Sequence, residues 1–195
     1  MTDHPHHDHQ HTHDDQAAPA DYRTWVKSQR LSKDGYFKRA AQSPIPEAER
    51  AAFGGLRYYP VRPELRFEYL SLSPVADGLE TEIHVQTSDG AVRHGERVGT
   101  FEFTVQGVGY QLVAMRLVDT QGDELFVPFR DATNGEQTYE AGRYLDLAPQ
   151  EDGTYDLDFN LAYAPFCAYS PKYSCPLPPA ENWLTARIEA GEREP

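Results

Sequence analysis

An alternation of apolar and polar residues with a period of two constrains this chain more than any other feature of its sequence. In LETEIHVQT the apolar Leu79, Ile83 and Val85 are separated by acidic or polar residues, and TFEFTVQ repeats the pattern. Successive side chains of a β-strand point to opposite faces of the sheet, so such segments predict strands with one buried face. About seven strands are predicted in this way, the others being LRFEYLSL, YQLVAMRLV, ELFVPFR, GRYLDL and TYDLDFNLAY.

The links between these segments are too short for parallel pairing. Most have the length of a turn, such as DTQGDE and DATNGEQ, whereas parallel strands need long, usually helical crossovers. The sequence therefore predicts a mainly β fold, with an antiparallel meander forming a barrel-like or sandwich core, and we favour the barrel-like form. YQLVAMRLV is apolar on both faces, which is typical of a central strand covered on both sides.

Helical and proline-rich segments flank the predicted sheet. Asp21 is a candidate N-cap for a first helix that runs to about Ser32, and Gly35 marks a break after it. SPIPEAERAAFGG predicts a second, short helix. Residues 163–182 contain five prolines and predict an extended strap over one side of the sheet, and PAENWLTARIEAGE predicts a terminal helix that ends at Gly191.

Residues 1–20 differ in composition from the rest of the chain. They hold six of the eight histidines and four acidic residues, without Lys or Arg, and predict a disordered tail before a single β-rich domain over 21–195. Imidazole binds Zn²⁺, Ni²⁺ and Cu²⁺, so the tail either serves in metal acquisition or binds such ions only adventitiously. The candidate ligands are His4, His6, His7, His9, His11 and His13.

Charge and hydropathy exclude several classes of partner. A net charge of −13 repels nucleic-acid phosphates and anionic membranes. No apolar run is long enough to span a bilayer, and the N-terminus lacks the apolar region of a secretory signal. We expect a cytoplasmic protein that binds neither nucleic acid nor membrane; the sequence does not indicate its oligomeric state.

Common catalytic and metal motifs are absent from the sequence. It has no H-E-x-x-H, G-x-S-x-G or C-x-x-C, and no phosphate-binding glycine loop. Outside the tail only two histidines occur, His84 on the polar face of a strand and His94 in a predicted RHGER turn. We therefore predict no cofactor, and no metal in the folded body.

Charged residues concentrate in FRDATNGEQTYEAGRYLDL and on the strand that follows it. Arg143 is expected to pair with Asp146 or Asp158, because buried charges need partners. One interpretation is an Arg and carboxylate set that binds a small polar ligand at a barrel mouth. The other is an ion pair that only joins the last strands.

Both cysteines, Cys167 and Cys175, lie in the strap. Their spacing is not that of a zinc knuckle, and a reducing cytosol disfavours a lasting disulfide. Three interpretations stay open: small buried apolar residues, a reversible thiol pair, or shared metal ligands.

The same stretches resemble a family of bacterial and archaeal proteins, domain of unknown function 1684. The resemblance covers about residues 30–192. Its most specific part runs from the LDFN strand through YAPFCAYSPKYSCPLPPAENW. Many members have asparagine between the tyrosine and the proline of this motif, where Ala164 stands here, and this weakens any side-chain role at that position.

The resemblance implies that the strap and the Arg143 tract form one feature, but it implies no activity. The residues that match its motif are Arg143, Asp158, Asn160, Tyr163, Cys167, Tyr169, Cys175, Glu181 and Asn182. Of these we assign a structural role to Cys175 and Glu181, together with Asp146 outside the match, and candidate ligand contacts to the others.

Three functions are compatible with these residues. The first is a binding module for a small polar or anionic ligand, with Arg143 facing the anion, Asn160 and Asn182 hydrogen-bonding, and the tyrosines as walls. The second is a hydrolytic or isomerising enzyme that uses Asp158 as general base or Cys167 as nucleophile. The third is a structural or partner-binding protein.

Overall fold

The computed structural model describes residues 22–118 and 122–195, which contain seven strands in two antiparallel sheets. The strands are β1 Arg66–Leu70, β2 Glu82–Gln86, β3 Val92–Val105, β4 Val108–Leu117, β5 Leu125–Phe129, β6 Arg143–Leu147 and β7 Tyr155–Asp158. Strands β2 to β6 form a five-stranded sheet in sequence order, and β1 pairs with β7. The prediction of a mainly β, antiparallel fold is confirmed. The predicted tail, and Asp21 as a cap, lie outside the described residues.

The strands do not close into a barrel, so the predicted barrel-like or sandwich core is supported only as two antiparallel sheets. The first and last strands pair with each other, with Arg66 opposite Asp158 and Phe67 opposite Leu157, rather than with the ends of the five-stranded sheet. Strands β2 and β6 therefore stay at its two edges. Short links predict that strands adjacent in sequence pair with each other. The partner of a terminal strand depends instead on contacts between residues distant in sequence.

Apolar side chains from both sheets share one core. The ring of Phe67 on β1 lies 5.1 Å from that of Phe103, and Tyr155 on β7 lies 5.3 Å from Phe101. Alternate residues of β3, β5 and β6 complete this cluster. The period-two pattern of the sequence thus matches the face that is buried between the two sheets.

The strap (residues 163–182) covers the opposite face of the five-stranded sheet. A second cluster forms there, with Val85, Met115 and Tyr144 beneath Cys175 and Phe166. Strand β4 is buried on both faces, as its sequence predicted. At one edge Tyr163 exchanges two backbone hydrogen bonds with Tyr144, and at the other the Leu177 N–H donates to the Gln86 carbonyl at 2.7 Å.

Two helices precede the sheets. Helix α1 spans Tyr22–Arg39 and continues through Gly35, where a break was predicted. Phe37 explains the extension, because its buried ring packs edge-on against Tyr169 at 5.0 Å and Phe166 at 5.9 Å, which offsets the roughly 1 kcal/mol cost of a helical glycine. The second helix, α2, is one turn long, Glu47–Arg50.

The predicted terminal helix is wrong. A short 3₁₀ helix covers Ala180–Asn182, and the chain then runs extended. The backbone of residues 182–186 bonds instead to the segment after β5, with Arg130 N–H donating to the Asn182 carbonyl and Leu184 N–H to the Arg130 carbonyl. Burial of Leu184 and Ile188 in the core supports this path over the helix that their spacing favoured.

The RHGER segment is strand rather than turn, since His94 lies within β3 opposite His84 on β2. Neither helix in the part of the chain that the structure describes combines the length and the apolar character needed to cross a bilayer.

Candidate functional site

Arg143 begins β6 and its side chain has no exposed area. Its partner is Asp131, whose Oδ2 lies 2.6 Å from Nη2, so the predicted pairing with Asp146 or Asp158 is wrong. The guanidinium also donates to the carbonyls of Ile188, Ala190 and Glu192. These bonds hold the C-terminal segment against β6 and leave no surface of Arg143 for a ligand.

Two asparagines of the motif also bond to backbone. Asn182 receives the N–H of Val113 at 2.7 Å and donates to the carbonyls of Val113 and Pro128. Asn160 receives the N–H of Arg62 at 2.7 Å and donates to its carbonyl at 2.8 Å. Both side chains are buried, and each satisfies backbone groups of another segment of the chain.

The remaining tyrosine and the glutamates fix the strap and the chain end. Tyr169 donates to the buried Glu192 at 3.0 Å, and burial raises its pKa above the ordinary range of tyrosine. The second Glu192 oxygen pairs with Lys33 on α1 at 2.5 Å. Glu181 pairs with Arg97 on β3 at 2.9 Å. The Glu181–Arg97 pair thus connects the strap to β3.

The strap cysteines are free thiols that contact each other. The Cys167 N–H donates to the Cys175 sulfur at 3.3 Å, and the Tyr139 hydroxyl lies 3.8 Å from the Cys167 sulfur. A hydrogen bond from the Cys175 thiol, reinforced by Tyr139, lowers the pKa of Cys167 to about 6. The bond to Cys167, together with burial, raises the pKa of Cys175. One thiolate of the pair is thus stabilised.

A groove of about 920 Å³ lies between the β1–β7 sheet, β6 and the start of α1. It contains three of the predicted residues, Asp146, Asp158 and Tyr163. The charged side chains that line it are Arg66, Glu68, Asp146, Asp156 and Asp158. Four carboxyl groups against one guanidinium give this groove an excess of acid.

Asp158 ends β7 beside the groove, with both carboxylate oxygens hydrogen-bonded. Oδ2 accepts from the Tyr22 hydroxyl at 2.6 Å, and Oδ1 accepts from the backbone and side-chain nitrogens of Asn160. Burial, with the bond to Asp158, raises the pKa of Tyr22. The hydroxyl therefore remains protonated, and the carboxylate is held in a fixed orientation.

Asp146 lies opposite, on β6, and accepts a hydrogen bond of 2.5 Å from Tyr163. Although the residue as a whole is exposed, surrounding atoms desolvate its carboxyl group and raise the pKa of Asp146. Burial and the neighbouring Asp146 raise the pKa of Tyr163. A carboxyl group in this state gains from a ligand that brings a hydrogen-bond donor or a positive charge.

The rim of the groove carries a strained aromatic residue. Tyr69 has φ of 56°, in a β-bulge between Phe67 and Leu70, and its side chain is 64% exposed. The left-handed region costs a residue with a Cβ roughly 1–2 kcal/mol, and no burial of the ring compensates for this. Its N–H donates to Asp156, which also pairs with Arg66 at 2.6 Å. Strain of this kind concentrates at functional sites.

Sequence reasoning missed most of this groove. Tyr22, Arg66, Glu68 and Tyr69 come from α1 and β1, for which the sequence predicted a flanking helix and a strand without site residues. Asp156 was visible as a neighbour of Asp158 on the same strand face. A positive φ at Tyr69 has no signature in the sequence, so only the structure shows it.

The fold and this groove define a mainly β protein built from two antiparallel sheets and a strap, with a polar, acidic groove beside its smaller sheet. The chain belongs to the family described as protein of unknown function (DUF1684), whose model matches residues 51–193. This confirms the resemblance drawn from the strap motif.

One solved structure is similar over nearly the whole chain. It is the solution NMR structure of an uncharacterised protein of Haloarcula marismortui, 42% identical, covering 87% of this chain and 92% of its own, with a TM-score of 0.65. No curated protein matches the sequence.

Proposed function

We propose that this protein is a binding module for a small polar molecule with a positively charged group, held in the groove lined by Asp146, Asp156 and Asp158. The observation that carries the proposal is the charge of the lining, four carboxyl groups against Arg66 alone. Carboxylates held in place by the protein attract ammonium and guanidinium groups. The sequence also allowed an anionic ligand, but Arg143, the residue assigned to it, is buried elsewhere.

Three aromatic rings line the same groove, those of Tyr22, Tyr69 and Tyr163. Two of these rings already contact a cation of the protein, since Arg66 lies over the Tyr22 ring, 4.9 Å from its centre, and Lys33 lies over the Tyr163 ring at 4.4 Å. Tyr69 is exposed at the rim and offers its face to a ligand. Aromatic faces beside carboxylates suit an organic cation better than a bare metal ion.

The test uses the full chain and four probes: spermidine and choline as cations, citrate and phosphate as anions. Saturation-transfer NMR detects each probe on the protein. We expect the cations to bind and the anions not to bind. Asp146→Asn and Asp156→Asn should each weaken cation binding by about 10- to 150-fold, since each removes one charge-assisted contact worth about 1.5–3 kcal/mol.

Asp77→Asn provides a matched control, because Asp77 is an exposed acid outside the groove. If the control and the groove variants bind the cations equally weakly, the loss of affinity comes from net charge, and the groove is not the binding site. Binding of citrate without binding of either cation would reverse the proposed ligand class.

A second candidate function is thiol chemistry at Cys167. The specific observation in its favour is the contact of Cys167 with Cys175 and Tyr139, whose hydrogen bonds lower the pKa of Cys167 to about 6. A thiolate at neutral pH is the nucleophilic form of cysteine. Asp158 is less suited to act as a general base, because both of its oxygens already accept hydrogen bonds.

The proposal includes a cytoplasmic location. Two free thiols that contact each other suit a reducing compartment, where they stay reduced.

A further inference from the structure

Two histidines face each other on the exposed side of the β2–β3 hairpin. His84 and His94 occupy directly opposed positions, and their rings pack edge-on with centres 4.6 Å apart. Glu82 lies two residues before His84, so its side chain leaves the same face of β2. The three side chains are exposed by 59% (His84), 62% (His94) and 68% (Glu82).

We propose that Glu82, His84 and His94 form a binding site for a divalent transition-metal ion of the Zn²⁺ class. The Glu82 carboxylate oxygen Oε1 lies 3.1 Å from His84 Nε2 and 3.7 Å from His94 Nδ1, and the three ligand atoms all lie within 4.8 Å of one another. Bonds of 2.0–2.2 Å in tetrahedral geometry place ligand atoms about 3.3–3.6 Å apart. Small side-chain rotations therefore bring all three to bonding distance.

The charges on this hairpin favour a cation. Glu82 is directly opposed by Glu96, and like charges at such positions destabilise a sheet. Arg116 on β4 stands directly opposite Glu96 in the same cross-strand row. The guanidinium of Arg97 bonds to the carbonyls of Glu80 and Glu82 and to the carboxylate of Glu181. Its charge is thus directed at Glu181 rather than at the Glu82 carboxylate.

The ligand types select the ion. Two imidazoles and one carboxylate suit Zn²⁺ and its neighbours, whereas Ca²⁺ and Mg²⁺ need a shell of oxygen ligands. Three protein ligands leave one position of a tetrahedral ion open. His84 also lines a separate groove of about 600 Å³ beside Trp183, Pro178 and Pro179, so this open position lies near a concave surface.

The site shares no residue with the groove of the proposed function, so each proposal stands or fails alone. It also differs from the sequence prediction of no metal in the folded body, and from the open alternative of metal ligands at Cys167 and Cys175. The structure adds the cross-strand pairing of His84 with His94. The sequence had predicted a turn at His94.

The experiment must separate this site from the histidine tail. We would use the full chain with His4, His6, His7, His9, His11 and His13 replaced by glutamine. Zn²⁺ is titrated into it in competition with a chromophoric chelator, and Co²⁺ is used to record ligand-field absorption. The expected result is one ion per chain with a tetrahedral Co²⁺ spectrum.

Substitutions on the hairpin then test the ligands. In the same background, His84→Ala and His94→Ala should each lower Zn²⁺ affinity by about 100-fold or more, because loss of an outer-shell contact alone costs 10–100-fold. Glu102→Gln, an exposed acid further along β3, should leave affinity unchanged. Far-UV circular dichroism confirms that each variant is folded.

Three results would overturn the proposal. They are no binding once the tail histidines are replaced, equal affinity in both histidine variants and the parent, and imidazole nitrogen resonances of His84 and His94 that do not shift with Zn²⁺. The first result would assign all metal binding to the tail.

Discussion

At the scale of single residues, the buried pair of Arg143 and Asp131 tests whether residues of the motif stabilise the fold. We predict that Asp131→Ala lowers the free energy of unfolding by about 3–5 kcal/mol, because it leaves a buried guanidinium without its counter-charge. Urea unfolding followed by fluorescence measures this loss.

The exposed pair of Arg187 and Glu136, 3.0 Å apart, is a matched control. Glu136→Ala should cost less than about 1 kcal/mol, as exposed ion pairs do. Equal costs for the two substitutions would refute the structural role given to Arg143.

A second prediction at this scale concerns the pH dependence of Cys167. Its pKa is lowered to about 6, so the thiolate predominates above that pH and is lost as pH falls through it. Alkylation by iodoacetamide, followed by mass spectrometry, should therefore be fast at pH 7 and show its inflection near pH 6.

Cys175→Ala removes the thiol that donates to Cys167, and we expect the inflection to move to higher pH. Tyr36→Phe, which alters an exposed hydroxyl bonded to the Gln42 carbonyl, should leave it in place. An inflection above pH 8 in the unaltered protein would contradict the proposed thiolate.

At the scale of elements, the turn at Gly191 shows why the C-terminal segment takes its extended path. Gly191 has φ of +75°, and a Cβ there would lie 2.5 Å from the Ala162 carbonyl oxygen and 2.7 Å from that of Phe159. Backbone strain alone costs about 1–3 kcal/mol. We predict that Gly191→Ala lowers the free energy of unfolding by more than this, since the clash adds to the strain.

Gly153 separates these two effects. Its φ is +81°, but nothing lies within 4 Å of a Cβ added there. Gly153→Ala should therefore show the strain alone, about 1–2 kcal/mol in the same urea experiment. If the two substitutions cost the same, the close approach at Gly191 contributes nothing.

The strap is an element whose backbone can be tested separately from its side chains. Leu177→Pro removes the N–H that donates to Gln86, whereas Leu177→Ala keeps it and removes only the side chain. We expect hydrogen exchange in β2 to accelerate more in the proline variant. The opposite order would indicate that the strap is held by side-chain packing alone.

At the scale of the whole molecule, the sequence predicted the sheet better than its surroundings. The strand segments are identifiable because Ile83 and Val85, or Phe101 and Phe103, alternate with polar residues. This pattern does not depend on which element packs against the buried face. The apparent helix around Leu184 and Ile188 failed because a local spacing was overruled by backbone bonds to Arg130, which is more than 50 residues away in sequence.

The candidate site was predicted only in part, for a related reason. Asp158 and Tyr163 are visible in the motif, but their neighbours Tyr22 and Tyr69 come from the other end of the domain. Arg143 was assigned to the ligand because charge is visible in a sequence, whereas its burial against Asp131 is not. A sequence motif does not separate residues that bind a ligand from residues that stabilise the fold.

The two attachments of the strap have a further consequence for how this molecule behaves among its copies. Strands β2 and β6 end the larger sheet, and the strap bonds to β2 through Leu177 and to β6 through Tyr163. Unoccupied sheet edges recruit strands from other chains and seed aggregation. Here one segment bonds to both edges, so cleavage at its exposed Lys172 would uncouple the two attachments and weaken the protection of both edges at once.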